Sequence, residues 1–581
     1  MPHRRDVFTW KIGGVGGQGQ QAAGATFAKA CTRGNFLTFN YSEYPSIIRG
    51  GHGTTQVDVA PRPLTAPSAA VNLLVALNEE TIQLHAAEVT HDGAIIYDGS
   101  KITGDLKAYR RHKLFNLPIG NLLQDAKLPP ISANMVAVGA SLGLLRYSQA
   151  VLHHAIADLF AGKGQGTIDA NIAAAQAGYD HATKHFQPAR FAFTLRAKPV
   201  GKPAPLLTGN DAISLGIAAA GCQLYVAYPM SPSSSILHNL AGWAKTTNMV
   251  VRQPEDEIAA IHVAIGAMFA GTRSALATSG GGFALMTEAL ALSAMTETPL
   301  VAVVSSRPGP ATGLPTWTEQ GDLKFLVNAA HGDFPRVILT PGDPEEAFAA
   351  AGTAFNLAEK YQLPVIILMD KFVSESTRAL PHFTLTPPEI ERGKIATASE
   401  LAGTKEFARY ALTADGVSPR ALPGTEGGIH LANSDEHEEH GFAVESFGGG
   451  ALLRQRMVEK RAAKVRHLIP ELPKPVRLGP AKAKLTLLSW GSTKGVAEEA
   501  LRLLPYVNAV HMPAVWPIPE HALRHALNHV QQLVTVENNF SGQFATILRG
   551  ATGIAPDHQL LKYNGQQFFP EELAEKVKAL L

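Results

Sequence analysis

Short β-rich runs alternate with alanine-rich helical segments through the middle of this chain, and this alternation constrains the fold more than any other feature. Between residues 207 and 378 the predicted strands are Cys222–Tyr228, Ser274–Thr278, Leu300–Ser305, Val337–Thr340 and Val365–Met369. Such an order is typical of a parallel sheet covered by helices. Ligands of open parallel sheets bind beyond the carboxyl ends of the strands, so the loops after these strands are the first candidates for a site.

Two further segments with strands and helices flank this one. The first begins with a strand at Phe8–Ile12, a glycine-rich turn and an alanine-rich helix. The last contains predicted strands at Leu485–Ser489, Val507–Met512 and Leu533–Glu537. A chain of 581 residues is too long for one hydrophobic core. We therefore predict an α/β protein with three α/β domains.

Composition narrows the functional classes. Hydrophobic residues make up 45% of the chain, charged residues 17%, and the formal net charge is +2, which is typical of a globular protein that binds no nucleic acid. The basic start leads into a glycine-rich turn rather than a secretory signal, and no apolar run is long enough to cross a membrane, so we expect a cytoplasmic protein. Cys31 and Cys222 cannot supply the four thiolates of an iron–sulfur cluster, so any cluster would lie in a partner.

The turn Gly14–Gly19 fits the pattern G-x-G-x-x-G between a strand and a helix. Backbone amides at such a helix start can hold a phosphate. A dinucleotide site would also need an acid at the end of the second strand, where the sequence has Asn40. The turn therefore either binds a nucleotide or only lets the helix pack closely on the sheet.

The turn Tyr228–Ser234 follows a predicted strand of the central segment. Ser231 is a candidate N-cap and Pro232 suits the first helical position, so a helix start alone would explain the turn. The turn also lies where ligands of parallel sheets bind. Both interpretations stay open on this turn alone.

Glu257 begins a predicted helix, Glu257–Ala270, that has almost no polar face and should be largely buried. Burial raises the pKa of a carboxyl group, while the helix dipole lowers it. A buried carboxyl group of this kind can hold a hydrogen bond to a ring nitrogen. The alternative is that Glu255, Asp256 and Glu257 only complement the helix dipole.

Two more loops follow predicted strands of the same sheet. Thr278–Gly282 contains three consecutive glycines, which let a flat ligand approach the backbone closely, and it precedes a predicted helix at Phe283–Met295. Arg307 lies in a loop rich in proline and glycine, where its guanidinium could bind a carboxylate with two hydrogen bonds. A surface arginine on a turn is the simpler alternative.

The pair His437 and His440 is similar to a metal motif only in composition. Its spacing differs from H-E-x-x-H, and no apolar helix nearby would bury it. We interpret it as a solvated loop and predict no metal site in this chain.

An ordered series of motifs closely resembles the α subunit of 2-oxoacid:ferredoxin oxidoreductases, the 2-oxoglutarate type being the nearest match. In the central segment these motifs are Gly209–Gly216, Tyr228–Ser234, Pro254–Ala260, Ala277–Phe283, Arg307–Thr316 and Glu319–Leu323. Outside it they are Gly14–Gly19, Tyr44–His52, Gly424–Gly427, Glu436–Gly441 and Val536–Gln543. The series covers nearly the whole chain, and its order is more specific than any one motif.

The resemblance implies five segments. They are a γ-type catalytic domain at 1–190, a linker at 191–206, a thiamine diphosphate pyrimidine-binding domain at 207–378, an ordered connection at 379–480, and a transketolase C-terminal-like domain at 481–581. In this family a β subunit provides the diphosphate-binding domain, Mg²⁺ and a [4Fe–4S] cluster. This chain has no Gly-Asp-Gly motif with the following Asn that holds magnesium and diphosphate, so the sequence also indicates a missing partner.

Similarity to the family also assigns site residues. Glu257 is placed opposite the pyrimidine N1′ of thiamine as the catalytic residue. Substrate binding is assigned to Tyr228, Ser231 and Arg307, with Ser231 beside the carbonyl or C1 carboxylate and Arg307 on a carboxylate. Cofactor binding is assigned to Glu257, Ser279, Gly280 and Thr316, the last near coenzyme A. The family usually has Thr at the position of Ser231, so the hydroxyl is retained but the methyl group that restricts its rotamers is not.

The implied activity is the coenzyme A-dependent oxidative decarboxylation of a 2-oxoacid, with electrons passed to ferredoxin. The expected substrate is 2-oxoglutarate, giving succinyl-CoA and CO₂, or the reverse carboxylation, in an (αβ)₂ heterotetramer. One alternative is a non-redox thiamine-diphosphate decarboxylase subunit. Another is a non-catalytic assembly subunit in which the Gly14–Gly19 turn binds a nucleotide.

Overall fold

The computed structural model describes residues 4, 6–47, 50–188, 191–199, 202–445 and 449–581. Residues 48 and 49 of the Tyr44–His52 motif, the predicted boundary at 190 and residues 200 and 201 of the predicted linker lie outside the described residues. The described residues form two compact units. One lies within Met1–Thr208, Glu375–Phe383 and Phe568–Leu580, and the other within Gly209–Ser374, Thr384–Gln567 and Leu581.

Strands and helices alternate along the described part of the chain. The strands are β1 (Phe8–Val15), β2 (Leu37–Glu43), β3 (His52–Ala60), β4 (Val71–Ala76), β5 (Val89–Tyr97), β6 (Lys113–Asn116), β7 (Leu206–Leu207), β8 (Leu224–Val226), β9 (Val250–Arg252), β10 (Ser274–Thr278), β11 (Leu300–Ser306), β12 (Val337–Leu339), β13 (Pro364–Asp370), β14 (Thr377–Ala379), β15 (Val476–Leu478), β16 (Leu485–Trp490), β17 (Val507–Met512), β18 (Ala514–Trp516), β19 (Leu533–Glu537) and β20 (His558–Leu561). The helices are α1 (Gln20–Arg33), α2 (Glu79–His85), α3 (Ile119–Asp125), α4 (Ala133–Leu144), α5 (Gln149–Leu159), α6 (Gln165–His185), α7 (Gly209–Ala219), α8 (Ser234–Thr247), α9 (Glu257–Phe269), α10 (Gly280–Leu285), α11 (Thr287–Met295), α12 (Leu323–Asn328), α13 (Pro344–Tyr361), α14 (Lys371–Glu375), α15 (Ala398–Leu401), α16 (Gly450–Leu468), α17 (Thr493–Leu501), α18 (Glu520–Ala526), α19 (Gln543–Thr552) and α20 (Pro570–Lys578). None of these helices is long and apolar enough to span a bilayer.

The first unit contains an eight-stranded mixed sheet in the order β6-β5-β4-β1-β3-β2-β14-β7. Trp10 of β1 stacks on Phe27 of α1 with ring centroids 4.6 Å apart, and its indole NH donates to Ser141 Oγ of α4 at 2.9 Å. The two short strands β7 and β14 extend this sheet, although the sequence prediction assigned residues 207–378 to the pyrimidine-binding domain. The predicted domain bounds stay predictions.

The glycine-rich turn of the first unit is filled by side chains of the same chain. Gln18 Oε1 accepts a hydrogen bond from the Val15 amide at 2.9 Å, and Asn134 Nδ2 donates to the Gly19 carbonyl at 3.1 Å. Gly19 has a φ of 79°, a conformation that favours glycine. These contacts support the interpretation of the turn as a packing feature.

The second unit contains a seven-stranded sheet in the order β18-β12-β13-β11-β10-β8-β9, in which every pair except β12 with β18 is parallel. A five-stranded sheet, β15-β17-β16-β19-β20, belongs to the same unit. The apolar β11 and β13 are buried along their whole length because helices cover both faces of the sheet. Parallel pairing places the carboxyl ends of β8, β10 and β11 at one edge.

Buried ion pairs stabilise the connection between these two sheets. Its long helix, predicted near Met457–Arg466, extends over Gly450–Leu468. Two of its lysines, Lys460 and Lys464, form ion pairs with Glu297 at 2.5 and 2.6 Å, and all three side chains are 1% exposed. Burial alone would raise the pKa of Glu297, but the charges of the two lysines and Arg409 hold it well below its usual value.

Two local predictions are wrong. The apolar helix predicted at Phe283–Met295 is two helices, α10 and α11, which meet at Met286, and the first begins earlier, at Gly280. The His437–His440 segment is not a solvated loop, because the His437 ring is fully buried against Tyr410 with centroids 4.0 Å apart. The adjoining Glu436 holds the segment through its ion pair with Arg461 at 2.9 Å.

Candidate active site at the carboxyl ends of the parallel sheet

Glu257 is the first residue of α9 and is 4% exposed. The helix is capped by its neighbour Asp256, whose carboxylate accepts a hydrogen bond from the Ala259 amide at 2.8 Å, while Glu255 is exposed. The three acids therefore differ in role, and the alternative in which all of them only complement the dipole does not explain the burial of Glu257. The predicted burial of this carboxyl group is confirmed, and its catalytic role stays a prediction.

The carboxyl group of Glu257 has one buried oxygen to be accounted for. Among the described residues no donor reaches the buried Oε1 atom. An unsatisfied buried polar atom costs about 1–3 kcal/mol. A ligand that donates a hydrogen bond to this oxygen would remove that cost, so the geometry fits a group with an NH or protonated ring nitrogen.

The glycine-rich loop after β10 lies directly against this oxygen. A Cβ atom at Gly282 would overlap the Thr278 hydroxyl and lie 2.7 Å from Glu257 Oε1, so only glycine fits here. Ser279 precedes α10 and is fully buried, and its hydroxyl also lacks a partner among the described residues. The loop thus combines a close backbone approach with a second unsatisfied polar atom.

The helix that begins at Glu257 is not as buried as its sequence predicts. Ala260, Ile261 and Ala264 pack in the core, but Ile258 is 47% and Val263 45% exposed. Among the described residues α9 packs on β8, β10, β11, α10 and α11, and these contacts leave Ile258 and Val263 exposed. Leu285, on the adjoining α10, is also exposed.

Arg307 and Ser231 are brought together at the same edge. Arg307 Nη1 donates a hydrogen bond to the Ser231 carbonyl oxygen at 2.8 Å, which joins the loop after β11 to the turn after β8. Burial lowers the pKa of Arg307 and the charge of Asp322 raises it. The sequence suggested Ser231 as an N-cap, and this prediction is wrong. Helix α8 begins three residues after Ser231, and Ser233 is its cap.

The residues around Glu257 lie next to those around Ser231 and Arg307. The Thr278 hydroxyl, which lies beside Gly282 and Glu257, is 4.0 Å from the sulfur of Met230, the residue before Ser231. Tyr228 is 37% exposed in the turn after β8, and Thr316 is 8% exposed in the loop that follows Arg307. The assigned roles of both residues stay predictions.

One residue of this edge was not assigned a role from the sequence. Asp322 Oδ2 accepts a hydrogen bond from the Ser306 hydroxyl at 2.5 Å, next to Arg307. Its motif, Glu319–Leu323, was noted for its resemblance, but the contact joins two loops that no local sequence signal connects.

Comparison with known proteins defines the class first. The family model "Pyruvate flavodoxin/ferredoxin oxidoreductase, thiamine diP-bdg" matches residues 216–448, and "Pyruvate ferredoxin/flavodoxin oxidoreductase" matches residues 9–181. The first match contains Glu257, Arg307 and the glycine-rich loop. The chain therefore has the sequence of a ferredoxin-linked oxidoreductase subunit with a thiamine diphosphate-binding region.

Relatives over the full length identify the subunit. The 2-oxoacid:ferredoxin oxidoreductase subunit alpha of Saccharolobus solfataricus is 31% identical, with 99% of this chain and 98% of the relative covered. A 2-oxoacid:ferredoxin oxidoreductase subunit alpha of Aeropyrum pernix is 32% identical, with 98% of this chain and 97% of the relative covered. The chain belongs to the family of 2-oxoacid:ferredoxin oxidoreductase α subunits, as its motifs predicted.

A solved structure agrees with this assignment. The 2-oxoglutarate:ferredoxin oxidoreductase from Magnetococcus marinus, determined with 2-oxoglutarate, coenzyme A and succinyl-CoA bound, matches with a TM-score of 0.90 and 30% identity. The match covers 99% of this chain and 100% of that one. The α/β fold and the enzyme class predicted from the sequence are confirmed.

Proposed function

We propose that this chain supplies the pyrimidine half of a thiamine diphosphate site and acts only with a β subunit that binds the diphosphate, Mg²⁺ and a [4Fe–4S] cluster. The observation that carries this proposal is the buried Oε1 of Glu257 beside Gly282, which has no hydrogen-bond partner in the described part of the chain. When bound, thiamine diphosphate supplies the nucleophilic carbon that attacks the 2-oxo group. Glu257 would accept a hydrogen bond from the pyrimidine N1′, and Ser279 with Gly280 would line the ring.

The surface around this carboxylate supports a partner. Ile258, Val263 and Leu285 expose apolar side chains on α9 and α10, the two adjoining helices that also carry Glu257 and Gly282. Apolar side chains in such a place gain free energy when another surface covers them. A β subunit seated here would also exclude water from the carboxylate.

We propose 2-oxoglutarate as the substrate, with succinyl-CoA and CO₂ as the products of the oxidative direction and ferredoxin as the electron acceptor. Arg307 would bind a substrate carboxylate, Ser231 and Tyr228 would line the pocket, and Thr316 would lie near coenzyme A. The relative from Magnetococcus marinus, whose structure holds 2-oxoglutarate and succinyl-CoA, supports this choice. An (αβ)₂ heterotetramer in the cytoplasm is the proposed assembly.

The activity is tested by producing the chain with and without its β subunit and measuring viologen reduction with a panel of 2-oxoacids. Reduction that needs both subunits and coenzyme A supports the proposal, with 2-oxoglutarate giving the highest kcat/KM. Release of CO₂ without viologen reduction would indicate the non-redox decarboxylase. If neither occurs and the chain binds a nucleotide instead, the assembly-subunit alternative is correct.

The role of Glu257 is tested with Glu257→Gln, which keeps the shape of the side chain. We expect the complex to assemble and turnover to fall by at least about 100-fold, because the amide is a poorer acceptor for the protonated ring nitrogen. Glu255→Gln is the matched control, because this acid is exposed two residues away. Normal turnover in Glu257→Gln would remove the residue from catalysis.

The role of Arg307 is tested with Arg307→Ala. We expect the apparent KM for the 2-oxoacid to rise by about tenfold or more, because a hydrogen-bonded charge on the substrate carboxylate is lost. If the apparent affinity for every 2-oxoacid is unchanged, Arg307 does not contact the substrate.

A further inference from the structure

The Glu319–Asp322 segment is held rigidly at its centre. Gln320 is 2% exposed and uses its backbone and its side chain together. Its amide donates to the Asn538 carbonyl at 2.7 Å, and its Oε1 accepts from the Asn538 amide at 2.8 Å. Its Nε2 donates to the carbonyl of Trp490 at 2.8 Å. The segment is therefore fixed to the ends of β16 and β19.

A further hydrogen bond fixes the residue between Gln320 and Asp322. Gln543 Nε2 donates to the Gly321 carbonyl at 2.6 Å, and its Oε1 accepts from the Lys324 amide at 2.8 Å, at the start of α12. Residues on both sides of Asp322 are therefore bonded to the ends of β16 and β19 and to α19.

From this position Asp322 contacts the end of β11 and the start of α10. Its Oδ2 accepts a hydrogen bond from Ser306 Oγ at 2.5 Å, directly before Arg307. Its Oδ1 lies where a Cβ atom at Gly280 would be 2.5 Å away, so the carboxylate packs on the start of α10. Asp322 is the N-cap of α12 but makes no side-chain capping bond, so capping does not account for its orientation.

The pKa shifts of Asp322 and Arg307 agree with the position of the Asp322 carboxylate. Burial raises the pKa of Asp322, while the Ser306 hydrogen bond and the charge of Arg307 lower it. Burial lowers the pKa of Arg307, and the charge of Asp322 opposes this shift. The carboxylate thus attracts the guanidinium, and this attraction limits where the Arg307 side chain can lie.

We propose that Asp322 is a positioning residue that holds Arg307 and the start of α10 in register, so that a substrate carboxylate and the cofactor are presented together. Asp322 acts through Ser306, Arg307 and Gly280 and does not touch the substrate. This inference rests on the proposed functions of Arg307 and Gly280. If this is so, the five-stranded sheet contributes to substrate binding through the hydrogen bonds of Gln320 to Trp490 and Asn538.

The test is a double-mutant cycle in the reconstituted complex with Asp322→Asn, Arg307→Ala and both together. Asparagine keeps the size of the side chain and can accept the Ser306 hydrogen bond, but it lacks the charge. We expect Asp322→Asn to raise the apparent KM for the 2-oxoacid by about tenfold with a smaller change in kcat. In the Arg307→Ala background the same substitution should change KM for the 2-oxoacid by less than about twofold, because its effect on KM passes through the arginine, while the contact with Gly280 concerns the cofactor.

Asp333→Asn is the matched control, because Asp333 is an exposed acid in the loop after α12 and should leave KM and kcat unchanged. Ser306→Ala should reproduce part of the KM effect with the carboxylate retained. An unchanged KM in Asp322→Asn, or equal effects of Asp322→Asn with and without Arg307, would overturn the inference. In those cases an active wild-type complex and a raised KM in Arg307→Ala would leave the proposed function intact.

Discussion

Replacing Glu297 by glutamine should loosen the long connection between the two sheets of the second unit. The Glu297 carboxylate pairs with Lys460 at 2.5 Å and Lys464 at 2.6 Å, and all three side chains are 1% exposed. Removing one partner of a buried ion pair costs about 3–5 kcal/mol, because the remaining charges stay buried without compensation. Here two ammonium groups would lose their partner at once, so we expect the upper part of this range.

The size of the penalty should depend on pH. Burial lowers the pKa of Lys464 to about 8, below its ordinary value of 10.5, although Glu297 opposes the shift. In the variant this opposition is gone, so Lys464 should release its proton at still lower pH and relieve part of the cost. We therefore expect the destabilisation to be largest near pH 6 and to decrease as the pH rises towards 8.

Hydrogen exchange of the full chain in the assembled complex measures this effect. Peptides from Gly450–Leu468 should exchange about 100-fold faster or more in Glu297→Gln than in the wild type, because opening of the helix becomes easier by at least 3 kcal/mol. Glu288→Gln is the matched control, since that side chain is 74% exposed on the helix before Glu297. Exchange of α16 at the wild-type rate at pH 6 would refute the reasoning.

Two further predictions concern the active site. Gly282→Ala should lower turnover by at least tenfold, because the new Cβ would displace Thr278 or Glu257 Oε1. Gly281→Ala is the control and should be tolerated, because no atom would lie nearer than 3.9 Å to its Cβ. Steady-state assays of the two complexes check this. Burial and the charge of Asp322 raise the pKa of Glu319 from 4.5 to about 7. Its ionisation as pH rises from 6 to 8 should add negative charge near Asp322, the carboxylate that acts on Arg307, and raise the KM for an anionic 2-oxoacid. A pH series with Glu319→Gln should flatten the rise. Since the folded state holds this proton more tightly, the contribution of Glu319 to stability should decline between pH 4.5 and about 7.

The sequence predicted best the strands that are buried on both faces. The strands at Ser274–Thr278, Val507–Met512 and Leu533–Glu537 have the predicted bounds, because a continuous apolar run ends where the chain leaves the core. The short strands β7 and β14 had no such signal. Each pairs with residues far away in the sequence, and two or three residues carry no periodicity.

The surroundings of a candidate site residue could be predicted where one residue type decides them. An acid at the start of an apolar helix indicated Glu257, and three glycines indicated a close backbone approach at Gly282. The exposed face of α9 could not be predicted, because an apolar sequence does not distinguish a core within one chain from a surface that another chain covers. The position of Asp322 depends on the Asn538 turn more than 200 residues away, so no local pattern contains it.

The unsatisfied polar atoms of the candidate active site and its exposed apolar side chains fit one common explanation. Glu257 Oε1 and Ser279 Oγ are buried without partners among the described residues, while Ile258 and Leu285 nearby are exposed. Buried polar atoms without partners and exposed apolar side chains both carry a cost in free energy. Both costs are removed together if a ring with a hydrogen-bond donor binds at Glu257 and a second subunit covers α9 and α10. Binding of the cofactor and of the β subunit should therefore be coupled, each strengthening the other.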